Sequence, residues 1–187
     1  MFAGNSITLH QPKPEIGWHN NWGMAASEKE KDYVHICMAH IRKTDPDAAF
    51  CICQVAEWER AYKNGSEKLA LYEAAREFGA DVVIARFVEN CVHDDFEEDV
   101  FAVEFERLMD FLGKDARKIV TTSFWYHPAN GALEGYAAKT GSQFVKLSDL
   151  GEMDEMKAIG LFEHSGVARH PGDLGMKTIA ERIIEVL

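Results

Sequence analysis

The sequence contains no apolar run long enough to cross a membrane, and no charged n-region followed by an apolar h-region and a cleavage site. Neither a membrane partner nor a secretory route is therefore expected, and the cytoplasm is the expected location. Positive charge is scarce: 20 Lys and Arg stand against 31 Asp and Glu, a formal net charge of -11. Binding a phosphate backbone requires clustered Lys and Arg, so nucleic acid is not an expected partner. Only four cysteines occur, Cys37, Cys51, Cys53 and Cys91, each inside an apolar stretch. They read as small buried thiols rather than a disulfide framework. His35 and His40 fall within a helix pattern, His93, His127 and His164 lack metal-ligand spacing, and no glycine-rich phosphate loop with its lysine occurs. No metal and no cofactor are expected.

What is present describes a globular chain. Apolar residues make up 47% and charged residues 27%, well above the hydrophobic content of a disordered segment. A length of 187 residues suits one domain with a substantial core, spanning 1–187.

Met1-Phe2-Ala3 reads as the stub of a first, central strand, and Leu9 to Trp22 as a loop rich in Pro, Gly, Asn and Trp. A helical pattern runs from Gly23 to about Arg42, with Tyr33, Ile36, Cys37, His40 and Ile41 on one stripe, and ends at Asp45-Pro46-Asp47. Residues 49–55 form a candidate buried strand. A helix over 66–78 follows, with Ser66 as N-cap and Gly79 at its C-terminal cap. The clearest strand is Asp81 to Phe87, a β-branched run of the kind buried on both faces of a parallel sheet. Then come a helix from the acidic segment at Asp94 to Gly113, a strand at 118–124, a helix at 130–141 and a strand at 143–147. A last helix over 174–186 turns Ile179, Ile183 and Ile184 inward, with Asp173 as its N-cap. This alternation predicts an α/β protein, a three-layer α/β/α arrangement with a flavodoxin-like parallel sheet of roughly five strands. Ligands of such sheets sit beyond the carboxyl ends of the strands. Ser6, Asn90 and Trp125-Tyr126-His127 all follow strands and are expected to converge there.

Two segments at opposite ends of the chain carry the chemistry: Gly4-Asn5-Ser6-Ile7-Thr8 and His170-Pro171-Gly172-Asp173-Leu174-Gly175-Met176. A serine hydroxyl is a poor nucleophile at neutral pH unless an imidazole takes its proton and fixed donors stabilise the developing oxyanion. With Gly23 in Asn20-Asn21-Trp22-Gly23-Met24-Ala25-Ala26-Ser27 and Asn90 in Val88-Glu89-Asn90, the chain resembles the SGNH (GDSL-type) hydrolases. The motif blocks of that family supply a serine, a glycine, an asparagine and a histidine in that order. The resemblance implies the SGNH hydrolase fold, Ser6 as nucleophile and His170 as its base. It further implies an oxyanion hole made by the Ser6 and Gly23 N–H groups and the Asn90 amide. It is closest to members acting on esterified carbohydrates, which implies short acyl esters, above all acetyl, of a small molecule or glycan. Trp18, Trp22, Trp125 and Tyr126 are expected around the rim, where aromatic faces suit sugar rings.

The chain departs from the family pattern in three places. Asn5 replaces Asp in the first block, Val88 replaces Gly in the third, and Val167 stands where the triad acid is usual, three residues before His170. A triad carboxylate fixes the histidine tautomer and stabilises imidazolium. Three readings are open without it: a backbone carbonyl orients His170, a carboxylate such as Glu163 or Asp173 substitutes, or the site is degenerate and binds a carbohydrate or protein.

Overall fold

The computed structural model describes residues 1–187. Five strands, β1 (Phe2–Gly4), β2 (Ile52–Gln54), β3 (Val82–Arg86), β4 (Arg117–Thr121) and β5 (Gln143–Val145), form one parallel sheet in the order β2-β1-β3-β4-β5. Period-two alternation divides their side chains between two cores. Ala3, Val83, Ala85 and Val120 enter one cluster, and Phe2, Ile84, Ile119 and Val145 the other. Both faces are therefore apolar, and both are covered by helices.

On the second face lie α1 (Tyr33–Ile41) and the last helix, Asp173–Ile184, which bury Tyr33, Val34 and Cys37 against Met176, Ile179 and Ile183. The first face takes three pieces: a short α2 (Ala56–Arg60), α3 (Glu73–Glu77) and the long α4 (Glu98–Gly113). It is completed by α5 (Asn130–Thr140). Trp58, Phe101, Phe105 and Phe87 form its aromatic centre, with ring centroids 5.6–6.5 Å apart. A further short helix, α6 (Ser165–Ala168), precedes the last, α7 (Asp173–Ile184). No helix is long and apolar enough to cross a membrane.

Register positions the site. Gly4 pairs with Gln54 on one side and Arg86 on the other, so the chains leaving β1, β2 and β3 emerge side by side at one edge. Those exits carry Ser6, Ala56 and the Val88-Glu89-Asn90 segment.

The local departures from expectation have identifiable causes. The helix expected from Gly23 begins only at Tyr33: Ala25 has φ 76°, in the left-handed region that helices avoid, and Asp32, in extended backbone, caps α1 by accepting from His35 N at 2.8 Å. The expected helix over 66–78 is a 3-10 stretch, Tyr62–Tyr72, with Asn64 out of helical geometry, followed by α3. Ser66 does not cap it; its N–H and hydroxyl both donate to Glu104 Oε2 at 2.6 Å. Gly172, not Asp173, is the N-cap of α7. The Asp173 carboxylate instead accepts from Ser27 N at 2.8 Å and Ser27 Oγ at 2.7 Å, tying the irregular 23–32 segment to that helix.

Phe105 stands at the middle of the aromatic cluster, 1% exposed. Phe105→Ala is expected to cost about 3–5 kcal/mol in a urea titration, through lost transfer energy plus an unfilled cavity.

Candidate active site

The turn that carries Ser6 starts at Gly4, where a Cβ would overlap Thr8 Oγ1 and lie 2.9 Å from the Arg86 carbonyl oxygen. Glycine alone lets β1 pass so close to β3 and turn at once. Thr8 N and Leu9 N both donate to Asn5 O at 2.9 Å, closing the turn and lifting Ser6 to the sheet edge. The Ser6 N–H donates to no acceptor in the protein.

His170 arrives from the opposite end of the chain, two residues after α6. Its N–H donates to Val167 O at 2.9 Å, and its carbonyl accepts from Ala158 N at 2.9 Å. The ring then sits with Nε2 at 2.9 Å from Ser6 Oγ and Nδ1 at 2.7 Å from Gly166 O. A carbonyl can only accept, so Nδ1 carries the proton and Nε2 presents its lone pair to the serine hydroxyl. Trp125 stands edge-on to the ring, with centroids 5.4 Å apart. Burial favours the neutral imidazole and pushes its pKa down to about 4, while the Gly166 carbonyl pulls the other way.

No carboxylate meets His170. Val167 is buried, Asp173 is held by Ser27 and Lys31, and exposed Glu163 makes no bond to the ring. Gly166 lies between the two carboxylates considered from the sequence, and the short helix that presents its carbonyl has too few residues for a periodic signal.

Gly23 requires a correction. Its N–H, expected in the oxyanion hole, donates to Asp32 Oδ2 at 3.0 Å. The absence of a side chain serves packing instead, since a Cβ would lie 2.5 Å from Ile7 O and 2.9 Å from Asp32 Cβ. Asn90 is beside the dyad: with Ser6, His10, Met24, Arg60 and His170 it lines a cleft of about 230 Å³. Two larger depressions, about 540 and 490 Å³, lie at the opposite edge of the sheet around Asp110 and Lys114, away from the dyad. Trp18 also needs correcting, because it is fully buried and cannot form a rim. Trp22 packs onto it at 6.0 Å and donates from Nε1 to Ala26 O at 3.0 Å. Trp22 and Trp125 are both half-buried, Trp125 against His170, and Tyr126 is 70% exposed.

Beneath Ser6 lies a cluster that motif matching missed. The Asn5 amide nitrogen donates to Glu59 Oε1 at 2.9 Å and to Glu89 Oε2 at 2.5 Å, so one NH₂ group bridges the buried Glu59 carboxylate and the largely buried one of Glu89. Glu89 also pairs with the buried Arg86 guanidinium and accepts from Phe124 N at 2.8 Å. Glu59 accepts from Val88 N at 2.6 Å, Asn90 N at 3.3 Å and Asn90 Nδ2 at 2.6 Å. Burial, then the charge of Glu89, raises the Glu59 pKa. Burial alone would raise Glu89 too, but Arg86 and the N–H donors hold it below the ordinary value. Val88 sits at φ 127°, where glycine is favoured, so the glycine of the third motif is lost while a glycine-like backbone remains. A signal was available: a charged Arg86 inside a β-branched strand demands a buried partner.

No protein-family model matches the chain, and no curated protein matches its sequence. Among solved structures it is similar to a two-domain esterase active on acetylated mannans, crystallised with mannopentaose, with a TM-score of 0.61 and 20% identity. The match covers 98% of this chain and 47% of that one, so this chain spans about half the length of the esterase. At that identity the likeness supports the fold alone, which in this chain is a five-stranded parallel sheet with helices on both sides.

The amide bridge explains Asn at position 5. Asn5→Asp would remove both donors and add a third carboxylate between Glu59 and Glu89. It is expected to cost about 3–5 kcal/mol near neutral pH, the scale for breaking a buried polar pair. The new carboxyl would titrate above its unfolded value, so the folded variant binds the extra proton and the deficit shrinks as pH falls. Urea unfolding at about pH 7 and about pH 5 measures both effects.

Proposed function

We propose that this chain is a serine carboxylic ester hydrolase of the SGNH type, working through a Ser6–His170 dyad. One observation carries the reading: Ser6 Oγ, His170 Nε2, His170 Nδ1 and Gly166 O stand in a hydrogen-bonded line of 2.9 and 2.7 Å. In the reaction, Nε2 takes the serine proton as Oγ attacks the ester carbonyl carbon. The carbonyl oxygen becomes an oxyanion, held by the unpartnered Ser6 N–H and by Asn90 Nδ2, each such donor contributing about 3 kcal/mol in the transition state. The tetrahedral intermediate collapses as the imidazolium Nε2–H protonates the leaving alkoxide. Water, losing its proton to Nε2, then cleaves the acyl-enzyme, releasing the carboxylic acid and restoring Ser6.

Short acyl groups, above all acetyl, suit a cleft of about 230 Å³ beside the dyad. Exposed Tyr126 and half-buried Trp125 offer aromatic faces to a sugar ring. The similar fold of an esterase active on acetylated mannans supports a carbohydrate ester over a lipid one. A second reading, a degenerate site that binds a carbohydrate or protein, has one observation in its favour. With the Gly23 N–H committed to Asp32, the oxyanion hole has two donors instead of the three implied by the motifs.

Intact-mass measurement after exposure to a fluorophosphonate separates the two. The serine-esterase reading expects a single adduct that is lost in Ser6→Ala; folded protein without an adduct would favour the binding domain. A second expectation concerns pH. The base works only when neutral, and burial has moved His170 to about 4. The acid limb of kcat/KM on a soluble acetyl ester should therefore fall well below the ordinary histidine range of about 6.5, with activity rising as pH rises through the limb.

A further inference from the structure

We propose that Glu59 is a positioning residue that acts through Asn90, fixing which way the Asn90 amide presents its free N–H to the cleft. The inference rests on the reading of Asn90 as an oxyanion donor. Glu59 is fully buried and touches no part of the cleft itself. Its Oε1 receives Asn5 Nδ2, Val88 N and Asn90 N, and its Oε2 receives Asn90 Nδ2 at 2.6 Å. The last contact sets the chemistry. An amide NH₂ is planar with two hydrogens about 120° apart, so engaging one on Oε2 leaves the other with a single direction. Asn90 lines the cleft beside Ser6 and His170, and that second hydrogen is the one available to a ligand there.

The same geometry shows why a carboxylate is needed. Every group around Glu59 is a donor, so both oxygens must accept. In Glu59→Gln, keeping the amide oxygen on the three donors at Oε1 puts the new NH₂ against Asn90 Nδ2, donor against donor. Asn90 would resolve the clash by turning over to offer its Oδ1, which moves its NH₂ away from the oxyanion position. The substitution changes shape very little while reversing the polarity of a side chain one bond away. An alternative role is purely structural, in which Glu59 merely ties the β1, β2 and β3 exits together. That role predicts lower stability without a change in turnover by the molecules that remain folded.

The test is kcat and KM on 4-nitrophenyl acetate for the full chain, Glu59→Gln, Asn90→Ala and the double variant, each at a temperature where circular dichroism shows it folded. Glu59→Gln and Asn90→Ala are each expected to lose about 10²–10³-fold in kcat, the cost of one oxyanion donor, with KM little changed. The double variant should be no slower than Asn90→Ala alone, because Glu59 has nothing left to position. Folded Glu59→Gln with wild-type kcat, or losses that multiply in the double variant, would overturn the proposal. If Glu59→Gln does not fold, Glu59→Asp replaces it: the charge stays but withdraws by one methylene from Asn90, and the same kcat loss is expected, with wild-type turnover overturning the idea. Wild-type protein that neither turns over the ester nor forms the fluorophosphonate adduct overturns the esterase reading and this one with it. Turnover in the wild type with no effect of Glu59 overturns only this one.

Discussion

Buried Glu59 and largely buried Glu89 lie on either side of one amide, the Asn5 NH₂, and the loops around Ser6 are arranged to satisfy them. An unpaired buried carboxylate costs several kcal/mol, so neither acid can lose its partners without penalty. Arg86 supplies one positive charge, leaving the remaining negative charge to N–H donors from Val88, Asn90 and Phe124. Those donors belong to the chain segments leaving β3 and β4, and Asn5 belongs to the exit from β1. Sliding any of these segments would expose a charge, so the cluster fixes the relative positions of Ser6 and Asn90 as well as the local backbone. The unfavourable φ of Val88 persists for the same reason: its N–H is held on Glu59 at 2.6 Å and its side chain is buried.

The imidazole above this cluster is oriented by a dipole instead of a charge. The Gly166 carbonyl fixes the tautomer as a triad carboxylate would, but it brings no full negative charge to stabilise imidazolium. Burial adds to that deficit and gives a weakly basic ring near pKa 4. Glu89 acts in the opposite sense, its charge raising the His170 pKa from beneath the site. The Arg86 guanidinium paired with Glu89 lowers it in turn, so the ion pair beneath the site largely offsets its own influence on the ring. A ring of lower pKa is neutral over a wider pH range and accepts a proton with less driving force.

Much of the fold was legible because it depends on local pattern. The β-branched run at Val82–Arg86, the periodic stripe of α7 and the strand–helix alternation all record burial directly in residue order. Ser6 and His170 were legible as motif residues, 164 positions apart in sequence and 2.9 Å apart in space. Gly23 was misread because a glycine motif does not say which way its N–H points, and Asp32, nine residues on, captures it. Trp18 was placed on the rim because it lies in an irregular loop that follows Ser6, while its side chain turns into a small core with Met24 and Val167. Glu59 was missed for a different reason. It lies in a five-residue helix without periodic signal, and its partners come from segments 29 to 54 positions away. Long-range polar satisfaction leaves little trace in a single sequence.

The state of the His170 ring is the point on which the proposed ester hydrolysis turns. The most direct measurement is the pair of ¹⁵N chemical shifts of His170 in labelled protein at about pH 6, where an unperturbed histidine would be largely charged. A neutral ring protonated on Nδ1, with Nε2 bare, is the expected result, and Ser6→Ala should leave Nδ1 protonated while altering the Nε2 shift. A charged ring at that pH, or a neutral ring protonated on Nε2, would contradict a carbonyl-oriented base facing Ser6.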